Sequence, residues 1–134
     1  MKPRVFMTTF FGQVTSKKNN KMPFRRRNGS MGVRMSEAAR QQEEEMAKVF
    51  EADFEMQELK HEWFENRRIE VVVEIWNKDA RKHDPDNQLS AILDALKKAK
   101  IFPDDSQLTI KKETCEYMGI DKDDPRAEIT VYAF

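Results

Sequence analysis

The chain has 134 residues of which 39% are apolar, enough for one modest core and too few for two. Basic and acidic side chains balance at 24 each, and together they make up 36% of the chain, so this is a highly charged sequence of zero formal net charge. No run approaches the roughly eighteen apolar residues of a membrane span, no apolar stretch follows a basic start, and Cys115 is the only cysteine; the expectation is a soluble cytoplasmic domain without disulfides or a cysteine-based metal site.

Residues 4–14 (RVFMTTFFGQV) are rich in β-branched and aromatic side chains and predict a strand. Residues 15–32 are polar, basic and broken by Asn, Pro and Gly, which reads as a long loop or arm. Within 16–34 lie seven bases and no acid: Lys17, Lys18, Lys21, Arg25, Arg26, Arg27 and Arg34. A segment of this kind suits a polyanion. It is equally compatible with ordinary solvated surface, or with neutralisation by the acidic segment that follows.

That segment, 36–66, holds ten acids against three bases. Ser36 is a suitable N-cap with Glu37 in the first turn, and Met46, Val49, Phe50, Phe54, Met56, Leu59 and Trp63 recur at mostly three- and four-residue spacing. The pattern predicts one long helix over about 36–65. A strand follows at 68–76, with Ile69, Val71, Val73 and Ile75 on one face. After a polar loop at 77–86, Leu89, Ile92, Leu93 and Leu96 predict a second amphipathic helix over about 87–100. Pro103 and the Asp-Asp-Ser after it make a turn, and 107–116 and 127–134 read as strands. The order β-α-β-α-β-β gives an α+β fold: two layers, a mixed β-sheet with two helices on one face, in a single domain over 1–134.

The chemistry concentrates in carboxylates. Asp84 and Asp86 flank Pro85, which restricts Asp84 to an extended conformation; in an extended segment residues two apart point the same way. A second pair, Asp104 and Asp105, follows the second helix. A helix of about fourteen residues spans roughly 20 Å, so the two pairs meet only if the chain beyond the helix returns alongside the first turn. Each pair also has a structural reading, Asp86 as the helix N-cap and Asp104-Asp105 as turn residues. Clustered carboxylates without Cys or a His pair favour Mg²⁺ or Mn²⁺ over zinc, and such an ion beside a basic arm suits phosphodiester hydrolysis.

These residues carry a family resemblance. Asp84-Pro85-Asp86-Asn87, then Leu93-Asp94-Ala95-Leu96, then Asp104-Asp105-Ser106-Gln107 are similar, with matching spacings, to the signature of the RusA family of Holliday-junction resolvases. Ser16-Lys17-Lys18-Asn19-Asn20 and the arginines to Arg27 resemble that family's basic arm more loosely. The resemblance implies a Mg²⁺-dependent homodimer that cuts four-way DNA junctions symmetrically in recombination and repair. Carried over position by position, Asp84, Asp86 and Asp105 match the metal-binding, catalytic aspartates, and Asn87 and Asp104 occupy supporting positions. The family's catalytic lysine corresponds here to Ser90, whose hydroxyl cannot replace a cation beside the reacting phosphate. Arg81 and Lys82, just upstream, are candidates to supply charge and contact DNA from the loop.

Other residues receive plainer readings. His83 and His61 are expected exposed, Cys115 is expected as a small buried apolar side chain, and Phe24 either packs with the arm or stacks on an unpaired base. Three functions follow: a structure-selective endonuclease, a catalytically weak or silent junction-DNA-binding relative because of Ser90, and a protein-interaction module with structural carboxylates.

Overall fold

The computed structural model describes residues 2–15, 21–102 and 109–134. In chain order the elements are β1 (Arg4–Phe11), β2 (Lys21–Arg25), β3 (Met31–Met35), α1 (Glu37–Met56), β4 (Ile69–Asn77), α2 (Pro85–Lys98), β5 (Ile110–Ile120) and β6 (Arg126–Ala133). Four strands form one mixed sheet in the order β1-β6-β4-β5, and β2 and β3 pair as a separate hairpin. The fold is the expected α+β arrangement, with the two helices covering one sheet face.

Alternation of side chains along the strands explains the core. Phe6 and Phe10 of β1, Ile69, Val71, Val73 and Ile75 of β4, and Ala127, Ile129, Val131 and Ala133 of β6 all point inward and are buried. Against them pack Met46, Phe50 and Phe54 from α1 and Leu89, Ile92, Leu93 and Leu96 from α2, the stripes their spacing predicts. Phe54 meets Phe6 and Phe64 edge-on, with centroids 5.2 and 5.5 Å apart.

Three expectations need correction. The long helix stops at Met56 instead of about residue 65: Glu58 takes a left-handed φ of 56°, its N–H bonds back to Glu55, and Leu59 N–H reaches Phe54 O. Met56 is 81% exposed, off the buried stripe, while Leu59 and Trp63 reach the core from a turn and a 3₁₀ segment at His61–Trp63. Second, the basic arm is not all loop. It forms a hairpin registered from Lys21 opposite Met35 to Arg25 opposite Met31, and its turn is closed by Arg26 N–H to Ser30 O and by Asn28 Oδ1 accepting from the Ser30 N–H and hydroxyl. Gly29, at φ 87°, supplies the left-handed position that turn requires. Third, the second helix begins at Pro85, two residues early, with Asp84 instead of Asp86 as its N-cap.

Ile92 is fully buried between α2 and the sheet. Ile92→Ala is therefore expected to remove about 2–5 kcal/mol of stability, read as a lower urea midpoint at unchanged slope.

Candidate active site

Strand β4 ends at Asn77, and the chain reverses through residues 78–84 into α2. Asp79 organises this loop: its Oδ1 accepts from Arg81 N–H at 3.1 Å and from His83 Nε2 at 3.0 Å. The hydrogen bond from His83 is the main reason the Asp79 carboxyl is held below its usual range. His83 is thus not the exposed histidine expected, since its side chain is only 18% accessible and is committed to Asp79. His61 likewise has partners: its ring stacks on Phe54 at 4.6 Å and its Nδ1 lies 2.6 Å from Lys100 O.

Asp84 is extended, at φ −100° and ψ 107°, as the proline after it requires. Its Oδ1 accepts from the amides of Asp86 (3.0 Å) and Asn87 (3.4 Å), and its Oδ2 from Asn87 Nδ2 at 2.9 Å. Three bonds hold this carboxylate against the helix start, yet a carboxylate has about four lone-pair sites, and Asp84 is exposed to solvent. Asn87 therefore braces Asp84 directly. Asp86 does not continue an extended segment; it sits in the first turn of α2, exposed, where its charge is favoured by the helix dipole. The Asp84 carboxylate meets the Asp86 amide because the cap folds back over the first turn, not because a strand alternates.

Asp86 also lies within electrostatic reach of Cys115 on β5, beside β4 in the sheet. Burial, and secondarily the Asp86 charge, push the Cys115 thiol up to about 11. Cys115 is half-buried against the core, close to its expected role as a small apolar side chain.

Beneath the acidic turn lies a polar cluster that composition does not reveal. Gln88 and Asn77 are 1% and 3% exposed. The Gln88 carboxamide donates to Asn77 Oδ1 (2.9 Å) and to Val14 O (2.8 Å), and Gln13 Nε2 donates to the same Asn77 oxygen at 2.7 Å. Gln13 Oε1 in turn accepts from Lys78 N–H at 2.7 Å. Only the near-complete burial of two amides marks the cluster, and single-sequence pattern carries no signal for that.

Ser90 is exposed on α2, four residues after Asp86 and so on the same helical face. Arg25, Arg26, Arg27 and Lys82 are exposed. The Phe24 ring packs across Gly32 of the facing strand, where an added Cβ would come within 2.9 Å of it, and the Arg26 guanidinium stands 5.8 Å from its centroid. Asp104, Asp105, Lys17 and Lys18 lie outside the described residues, as do the side chains of Lys21 and Arg34. The flanks of the Asp104-Asp105 segment are described: Thr109 O accepts from Ile69 N–H at the start of β4, the opposite end of that strand from Asn77. Among the described residues no three His, Cys, Asp or Glu side chains converge as a metal site.

Residues 12–132 match the family of endodeoxyribonuclease RusA. The chain belongs to the RusA family. RusA proteins are nucleases of the Holliday-junction-resolving type and act on branched DNA. The match takes in the basic hairpin, both helices, the acidic turn and most of β6. No curated protein matches the chain. No helix among the described residues is long and apolar enough to cross a membrane.

The Cys115 thiol tests the placement of Asp86. Against an ordinary cysteine, a thiol near 11 has about a hundredfold less thiolate at pH 8, partly offset by greater intrinsic nucleophilicity. Iodoacetamide is expected to alkylate it roughly tenfold more slowly at that pH. Asp86→Asn should speed the reaction; an unchanged rate would mean that Asp86 does not face β5.

Proposed function

We propose that this chain is a Mg²⁺-dependent endonuclease that resolves four-way DNA junctions, acting as a homodimer, with Asp84, Asp86 and Asp105 holding the cation. The observation that carries the reading is the pair of solvent-facing carboxylates on the first turn of α2 in a chain of RusA membership. The donors suit a hard cation: both are carboxylates, and the adjoining His83 is committed to Asp79. Magnesium takes one or two protein carboxylates and completes its shell with water and substrate phosphate oxygens, so Asp84 and Asp86 are a sufficient core by themselves. Asp105 is included on the family resemblance alone, since the described flank of its segment, Thr109, lies at the far end of β4. When bound, the ion activates water and neutralises charge developing on the phosphate.

The remaining work falls to the chain's own groups. Asn87 keeps the Asp84 carboxylate turned over the helix start through its Nδ2 bond. The exposed arginines Arg25, Arg26 and Arg27, with Lys17, Lys18, Lys21 and Arg34 of the same arm, pair with backbone phosphates, and Lys82 extends that surface beside the acidic turn. Asp104, beside Asp105 in the family signature, is proposed only as a supporting position.

Ser90 favours a second reading, a junction binder with little or no cleavage. On the face shared with Asp86 it presents a neutral hydroxyl where the family signature has lysine.

End-labelled four-way junction and linear duplex of the same sequence, incubated with Mg²⁺ and then Mn²⁺, decide between the two. Paired symmetric nicks on the junction alone are expected. Asp84→Asn should lower the rate by on the order of a hundredfold or more with little loss of stability, because Asn caps a helix as well as Asp does. Binding without nicks, and nicks appearing on Ser90→Lys, would establish the silent relative instead.

Arg25→Ala, Arg26→Ala and Arg27→Ala combined should weaken junction binding and flatten its salt dependence by about one unit of log–log slope for each phosphate left unpaired. A salt slope unchanged in the triple variant would remove the hairpin from the DNA interface.

A further inference from the structure

We infer that Gln88, Asn77 and Gln13 form a positioning bridge that fixes the root of the basic hairpin relative to the acidic turn, and so sets where DNA held by the hairpin lies against Asp84 and Asp86. The inference rests on the nuclease reading above and concerns residues outside its ligand set.

The geometry runs in one connected path. Gln88 is four residues into the helix that Asp84 caps, and its own amide bonds to Asp84 O at 3.0 Å. Its side chain reaches both Asn77 Oδ1 and Val14 O. Val14 is the penultimate described residue before the arm, and Thr15 after it is clamped to α1: its N–H and hydroxyl each donate to Gln42 Oε1 at 2.9 Å, and Gln42 Nε2 donates back to Thr15 O at 3.2 Å. The far root of the hairpin is fixed to the same helix end, since Ser36 after β3 caps α1 by accepting from Ala39 N–H at 3.1 Å. Both roots of the arm are therefore anchored at one end of α1, and the bridge ties that end to the first turn of α2.

Two features separate this from ordinary core filling. Asn77 Oδ1 accepts from both β1's exit and α2, so it ties the two together, and a shift of α2 costs the buried Gln88 carboxamide a partner in a dry site. Val14 O lies past the end of β1 at Phe11, and it accepts from two members of the bridge, Gln88 Nε2 at 2.8 Å and Gln13 Nε2 at 2.9 Å. The bridge touches neither DNA nor cation; it acts through Val14 and through the Asp84 turn, which makes its members positioning residues. A misplacement of about 1 Å at a reacting centre costs on the order of a hundredfold in rate without weakening binding.

The test uses the full chain with Gln88→Leu and, because that variant removes a buried donor, the half-exposed Gln13→Ala as a second probe. Junction affinity is read without divalent cation, and single-turnover cleavage is read in Mg²⁺ with saturating enzyme. Each variant is expected to keep its dissociation constant within about twofold while cleavage falls roughly tenfold to a hundredfold. The double variant should fall no further than the worse single one. Cleavage that tracks only the folded fraction, affinity falling in step with rate, or additive losses would overturn the bridge. A readout without catalysis keeps the two proposals apart. In Gln13→Ala, amide exchange at Asp86, Asn87 and Gln88 should quicken about tenfold, although Gln13 makes no bond to them. Unchanged exchange overturns the bridge whether or not the wild-type chain cuts DNA. A wild-type chain that leaves the junction whole, with exchange quickened, sinks the nuclease reading and keeps the bridge.

Discussion

Strand β4 is hydrogen-bonded along both edges, antiparallel to β6 and parallel to β5. The parallel pairing imposes the rest of the site. Two parallel neighbours cannot be joined by a tight turn, so the chain has to cross back over the sheet, and α2 is that crossing. A crossover helix starts where its first strand ends. The Asp84-Pro85-Asp86-Asn87 segment is thereby delivered to the carboxyl end of β4, where open α/β units in general collect their ligands. The inward face of β4 buries Ile69, Val71, Val73 and Ile75 under both helices, and the strand then finishes on Asn77, the oxygen around which the polar cluster gathers. One strand thus carries the core at its middle and the organisation of the acidic turn at its end.

The sheet's two edges are managed differently. At β1, Gln57 behaves as a short extra strand: its Nε2 donates to Met7 O at 2.6 Å and its Oε1 accepts from Met7 N–H at 3.4 Å. The helix that ends at Met56 is thereby lashed to the edge strand, helped by the Thr8 hydroxyl donating to Asp53. At β5 the protection is charge, with Lys111, Lys112, Glu113 and Glu116 along an exposed strand. Charged or capped edges discourage strand addition on both sides of the sheet.

How much of this is legible in the sequence depends on whether the cause is local. The stripe Leu89, Ile92, Leu93, Leu96 is a local period, and every member is buried. The cap of α2 is ambiguous by residue type because Asp84 and Asp86 are both good capping residues; Pro85 resolves it, since proline favours the first helical position and its predecessor must then be the cap. Apolar spacing overruns the end of α1 because Leu59 and Trp63 do touch the core, although through a left-handed turn at Glu58 that no such spacing announces. The hairpin reads as loop because its sequence is polar, basic and broken by Asn, Pro and Gly: its order comes from cross-strand pairing, the Asn28–Ser30 turn and the Phe24 ring on Gly32. The polar cluster is invisible because Gln13, Asn77 and Gln88 look like surface residues, and their partners lie 64 and 74 positions away in the chain as well as nearby. Spacing and resemblance find the carboxylates, but what sets Asp84 over the amides of Asp86 and Asn87 is a cap folded over a helix.

The zero net charge is the sum of surfaces that ask opposite things of DNA. A phosphate backbone is attracted to Arg25, Arg26 and Arg27 and repelled by Asp84 and Asp86, and all of these groups are exposed. Between exposed charges the repulsion is screened beyond about 8–10 Å at physiological salt, so it is felt only by phosphates brought close to the acidic turn. On the proposed reading, attraction at the hairpin supplies the binding, whereas close approach to the two aspartates needs their charge neutralised locally. On the same reading, binding and approach to the carboxylates would respond to different ions, the first weakened by monovalent salt and the second enabled by a divalent cation. A bound backbone gains close approach only if the hairpin holds it at a fixed offset from the turn. A flexible tether would let the DNA settle away from the negative charge, which is what the proposed bridge from Val14 to the helix that Asp84 caps would oppose.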